Sequence, residues 1–167
     1  MYSVNLELRS IFNTDGSSQN INQTFDFSDT EVSGYYPLSS PAKFVGGVYN
    51  RAGAVSFEGT ATYSYDAPCD RCGADSVAQY DVEMCYTLVT SMSNEERDDY
   101  IVVDNYLLDV ESLVRTDVLL SLPTKHLCKP DCKGLCSNCG ANLNKAQCNC
   151  SGGDNNPFAA ALSKFID

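Results

Sequence analysis

Nine cysteines in 167 residues, eight of them in four closely spaced pairs, constrain this chain more than any other feature. Two pairs share one form, Cys69-Asp70-Arg71-Cys72-Gly73 and Cys136-Ser137-Asn138-Cys139-Gly140. Two intervening residues let both thiolates face one tetrahedral ion at about 2.3 Å, and the glycine accepts the tight turn that aims backbone N–H groups at sulfur. Each pair is half of a metal site. Cys128-x3-Cys132 and Cys148-x-Cys150 supply the other halves, which leaves Cys85 over. Eight ligands make two four-cysteine sites.

Loop closure favours a local grouping, because only eight residues separate Cys139 from Cys148. Cys136, Cys139, Cys148 and Cys150 then form a small zinc ribbon at low entropic cost. Cys69 and Cys72 with Cys128 and Cys132 would clip a strand hairpin to a segment far along the chain. Two structural zinc ions are expected, since closed thiolate tetrahedra suit a redox-inert metal. The spacing Cys132-x3-Cys136-x2-Cys139 also matches the iron–sulfur pattern of radical enzymes that use S-adenosylmethionine, but the 28 residues after Cys139 leave no room for their barrel. A thioredoxin-type role for Cys69 and Cys72 requires the motif to open a helix, whereas strands flank it. Cys85 reads as a partly buried bystander on its strand's polar face. With both quartets full, His126 reads as a surface residue or a support for the ligands. No P-loop, Ser/His/Asp set or carboxylate pair is recognisable, so no enzyme is expected.

The rest of the chain is that of a folded protein, 43% apolar with 10 Tyr and 7 Phe. Residues 1–12 alternate around Val4, Leu6 and Leu8 as a half-buried strand, residues 14–20 read as a loop, and Ile21 to Phe27 as a second strand. Lys43 to Tyr49 and Val55 to Tyr65 form a hairpin about Asn50-Arg51-Ala52-Gly53. Val77 to Val89 puts Tyr80, Val82, Met84, Tyr86 and Leu88 on one face, and Tyr100 to Val103 is a short strand beyond the acidic loop 94–99. Asp109 caps a helix over 109–122 whose Val110, Leu113, Val114 and Val118 face the sheet, and Pro123 stops it. The expected class is α+β, β-dominated: a curled antiparallel sheet or partial barrel with one packed helix and a C-terminal zinc ribbon. The expected divisions are a β body over 1–122, a cysteine-rich zinc module over 123–152, and a tail over 153–167 with a short helix from Pro157 that carries Phe158, Ala161, Leu162 and Phe165 on one face.

Charge limits the partners. Eleven Lys and Arg against 22 Asp and Glu give −11, which opposes coating of nucleic acid or anionic membrane by bulk attraction. The N-terminus carries charges where a signal peptide needs an apolar core, and no apolar run approaches a membrane span, so a cytoplasmic protein is expected. Residues 123–150 reverse the sign locally, with Lys125, Lys129, Lys133 and Lys145 against Asp131. They read as solvated lysines that keep the module soluble, or as a few phosphate contacts, enough at best for weak and salt-sensitive RNA binding. The acidic stretch from Glu58 to Asp104 suits a basic protein partner.

The run Leu127-Cys128-Lys129-Pro130-Asp131-Cys132-Lys133-Gly134-Leu135-Cys136-Ser137-Asn138-Cys139-Gly140-Ala141-Asn142-Leu143-Asn144, closed by Cys148-Asn149-Cys150, resembles the cysteine-rich branch of the bacterial YceD-like family of large ribosomal RNA subunit accumulation proteins. The resemblance extends to Cys69-Asp70-Arg71-Cys72, the Asp109-to-Pro123 helix and the Pro157 tail, and covers roughly residues 43 to 165. It departs at Gly73, where many relatives have Leu, and at Ser137, where they have Pro; neither change removes a ligand. The resemblance implies a ribosome-biogenesis factor for synthesis, processing or stability of large-subunit ribosomal RNA, without enzymatic activity. Some relatives lack the cysteines, which implies that zinc is scaffold. A zinc-buffering or thiol-redox protein is the alternative.

Overall fold

The computed structural model describes residues 5–91 and 100–150. Its elements are β1 (Asn5–Glu7), α1 (Arg9–Asn13), β2 (Ser18–Phe25), β3 (Ala42–Arg51), β4 (Ala54–Pro68), β5 (Asp75–Val89), β6 (Tyr100–Val102), β7 (Leu107–Asp109) and α2 (Val110–Leu120). Five strands form one sheet in the order β2-β3-β4-β5-β6, and β1 pairs with β7 in a separate two-stranded ribbon. Among the described residues the fold is β-dominated, with one main helix and no closed barrel. The acidic loop 94–99 and the tail over 153–167 lie outside the described residues.

Period-2 patterning builds the sheet. Val55, Phe57, Ala61 and Tyr63 of β4, with Met84 and Leu88 of β5, are buried on one face, while Glu58, Asp81, Glu83 and Cys85 belong to the other. The β3–β4 turn places Ala52 and Gly53 at φ 54° and 83°, the left-handed pair whose twist matches that of a two-residue hairpin. Gly46 and Gly59 sit opposite each other in this hairpin, and the Phe44 ring lies over them, stacked on Phe57 at 5.1 Å. A side chain at either glycine would occupy the space of that ring.

Helix α2 covers the buried face. Asp109 accepts a hydrogen bond from the Ser112 N–H at 3.0 Å, and Val110, Val114 and Val118, one turn apart, are fully buried. Tyr86 donates to the Asp117 carboxylate at 2.8 Å, and Tyr63 donates to the Ser121 carbonyl at 3.1 Å. These bonds fix the end of α2 against the sheet and so aim the chain from Leu122 toward the β4–β5 turn.

Three expectations change. Strand pairing stops at Glu7, and Arg9–Asn13 is helical because Leu8, Ile11 and Phe12 recur at helical spacing and meet the core together. Strand β2 starts at Ser18, inside the expected loop, because Asn50 ties it down through the Asn50 N–H donating to the Ser17 carbonyl. The sheet is antiparallel except at its edge, where β6 joins β5 in parallel.

Candidate metal centres

The tight link between β4 and β5 is itself Cys69-Asp70-Arg71-Cys72-Gly73. The Cys69 N–H donates to the Ala74 carbonyl at 2.9 Å, the Gly73 N–H donates back to the Cys69 carbonyl at 2.8 Å, and Gly73 adopts φ 65°. The second pair repeats the turn: the Cys136 N–H donates to the Ala141 carbonyl at 2.8 Å, the Gly140 N–H to the Cys136 carbonyl at 2.9 Å, with Gly140 at φ 70°. One local sequence therefore gives one local shape twice. In both, the turn leaves N–H groups directed at the first sulfur. Hydrogen bonds from backbone N–H groups, that of Cys128 first, lower the Cys69 thiol to about 6, and those of Cys139 and Asn138 lower Cys136 to about 6.

Each turn meets a partner segment. The four sulfurs of Cys69, Cys72, Cys128 and Cys132 lie within 4.8 Å of one another, as do those of Cys136, Cys139, Cys148 and Cys150. The Cys69–Cys132 and Cys72–Cys128 sulfurs are 3.7 Å apart. A tetrahedron with metal–sulfur bonds of about 2.3 Å has edges of about 3.8 Å, so the donor set fits a four-coordinate ion. Either group could hold a metal. Cys69, Cys72 and Cys132 are buried, whereas Cys139 is exposed and Cys136 and Cys148 are half-buried. The first centre is a small core in its own right, with Ala74 and Leu127 packed around it. The second stands at the surface.

Polar contacts outside the sulfurs hold the two segments together. Asp70 and His126 exchange bonds across the junction, the Asp70 N–H donating to the His126 carbonyl at 2.9 Å and the His126 N–H to Asp70 Oδ2 at 2.7 Å. Arg71 donates to the Cys132 carbonyl at 2.9 Å. Asn144, from the loop of the second centre, donates its Nδ2 to Cys132 Sγ at 3.3 Å and accepts from the Lys133 N–H at 2.9 Å. Asn144 thus supports a ligand of the first centre from within the second. Its role escapes a search for ligand-type residues, and its only trace is a place in the Asn-Leu-Asn motif.

His126 is not a surface residue; at 3% exposure it is buried, with Nε2 2.7 Å from Ser76 Oγ and its ring edge-on to Tyr65. It is drawn in because its main chain pairs with Asp70. Cys85 is exposed rather than partly buried, since it pairs with Glu58 on the uncovered face of the sheet. Lys125, Lys129, Lys133 and Lys145 are all exposed along the cysteine-rich segment, and Lys129 lies 3.8 Å from Asp131. Among the described residues, no helix is long and apolar enough to cross a membrane.

A chloroplast protein of Arabidopsis thaliana, described as large ribosomal RNA subunit accumulation protein YCED homolog 1, is 42% identical over 43 residues, 26% of this chain. The matched stretch spans 13% of that relative's length. No solved structure matches. The family model described as large ribosomal RNA subunit accumulation protein YceD matches residues 57–166, which takes in the β4–β5 hairpin, α2 and both cysteine groups. This chain belongs to the YceD family.

Proposed function

We propose that the protein is a non-enzymatic ribosome-biogenesis factor that supports the synthesis, processing or stability of large-subunit ribosomal RNA, with zinc in both cysteine groups as scaffold. Membership of the YceD family carries this reading. Zinc fits the donor set because four thiolates at tetrahedral separation satisfy a redox-inert ion and leave no open position for chemistry. The first ion holds the β4–β5 turn to the segment after α2; the second holds the surface loop that carries Asn144. In this reading the β body over 1–122, the zinc module over 123–152 and the tail over 153–167 are successive parts of one scaffold.

The productive contact is with a ribosomal protein or a large-subunit assembly particle. The chain's charge of −11 repels naked RNA, while Lys125, Lys129, Lys133 and Lys145 provide a small basic margin. Four thiolates around a divalent ion carry about −2, which offsets part of that margin. The setting is the compartment where large subunits are built, which is the bacterial cytoplasm in the family resemblance.

Deletion of the gene, followed by profiling of ribosomal particles and large-subunit RNA, tests the role. A lowered ratio of large- to small-subunit RNA, restored by the wild-type chain, is expected; an unchanged ratio contradicts it. The zinc-buffer alternative separates on chelation: a buffer yields zinc to a mild competitor and stays folded, whereas a scaffold loses order with its metal.

A further inference from the structure

Beside the first cysteine group, the loop 32–35, the end of β4 and the segment after α2 enclose a cavity of about 320 Å³. Its size is that of a small binding pocket. Tyr35, Tyr65, Pro68 and Pro123 give it flat and apolar walls, Asp70 is its one charged lining residue, and His126 lines it as well. Ser76 holds the His126 ring, its Oγ 2.7 Å and its carbonyl 3.1 Å from Nε2.

We propose that this cavity binds one arginine side chain of a basic polypeptide, with the guanidinium against Asp70 and the tyrosine rings. The chemistry of the lining selects it. The Asp70 carboxylate calls for a donor that accepts nothing in return, and a planar guanidinium also stacks on aromatic faces as an ammonium does not. That carboxylate, within a chain of net charge −11, repels phosphate and so disfavours RNA as the occupant. The chain's own described arginines are committed elsewhere: Arg9 to Glu7, Arg51 to Glu58, Arg71 to the Cys132 carbonyl and Arg115 to Asp29. The remaining arginine, Arg97, lies outside the described residues, and the chain's net charge of −11 favours an occupant from a basic partner protein. The site deepens the proposed role, since it rests on the reading that a basic protein of the large subunit is the partner.

The test is a nitrogen-15 NMR titration of the zinc-loaded full chain with capped Gly-Gly-Arg-Gly-Gly, with the same peptide carrying neutral citrulline, and with a short oligouridine. The arginine peptide is expected to shift the amides of Tyr65, Asp70, Thr124 and His126, and the citrulline peptide to leave them unchanged. Asp70→Asn keeps an oxygen for the His126 N–H and should weaken binding about tenfold. Tyr35→Ala, at a residue 53% exposed, should weaken it without unfolding the chain. Equal shifts from the citrulline peptide, shifts confined to the sheet face around Glu58 and Glu83, or stronger shifts of the same amides by oligouridine would overturn the proposal. A silent titration beside a lowered large-subunit RNA ratio in the deletion strain overturns the pocket alone; peptide binding beside a normal ratio overturns the ribosomal RNA role alone.

Discussion

Tyr86 joins sheet to helix by donating to the buried Asp117 carboxylate, and that bond has a pH signature. Burial first, then the hydrogen bond and charge of Asp117, push the phenol up to about 12, above its ordinary value of about 10. Since the folded pKa lies above the unfolded one, the bond's contribution is complete below about pH 10 and is lost as pH rises toward 12. Tyr86→Phe strips a buried carboxylate of its donor and should cost about 1–3 kcal/mol in urea unfolding at pH 7, with the difference from wild type narrowing by pH 11. The Gly46–Gly59 pair makes a steric claim of the same kind. A Cβ at Gly59 would stand 2.5 Å from Phe44 Cζ and 2.8 Å from Gly46 Cα, so Gly59→Ala should destabilise by about 1–3 kcal/mol in the same assay, through displacement of the Phe44 ring. Neither effect is visible in the sequence alone, because both depend on which residues the register sets opposite each other.

Among the elements, the long strands and α2 were legible because their patterns repeat often enough to fix a period. β4 and β5 alternate over 15 residues each, and α2 carries its Asp cap, its valines one turn apart and a proline stop. The helix Arg9–Asn13 reads as strand in the sequence since five residues barely distinguish the two periods. Strand β6 is legible in the sequence but its parallel direction is not, because pairing direction depends on the path of the intervening chain, which local patterning does not record. The sulfurs group as loop-closure entropy favours, but Asn144 and the burial of His126 arise from contacts between segments distant in sequence. The two groups differ mechanically. Replacing Cys148 and Cys150 with Ser should raise hydrogen exchange mainly within residues 134–150, whereas replacing Cys69 and Cys72 should raise it also in the β4–β5 turn and the segment after α2. An equal global increase for both pairs would contradict this division.

At the scale of the whole molecule, an acidic sheet body and a cysteine-rich segment with four exposed lysines are joined by α2 and by the first cysteine group. The hydrophobic core stops at the β body. Beyond Leu127 the described chain buries only Cys132 among its apolar side chains, too little to order a segment of this length by burial alone. On the proposed reading, metal binding supplies the folding free energy there, and chelation should melt that segment while the sheet persists. In the proposed function, two closed four-cysteine zinc sites hold the scaffold that supports large-subunit RNA. Metal analysis of the purified full chain and three variants tests it most directly. Two zinc ions per wild-type chain are predicted, two in Cys85→Ser, and one in each of the paired replacements at Cys69 with Cys72 and at Cys148 with Cys150; a single ion in the wild type, or loss of metal on replacing Cys85, would contradict it.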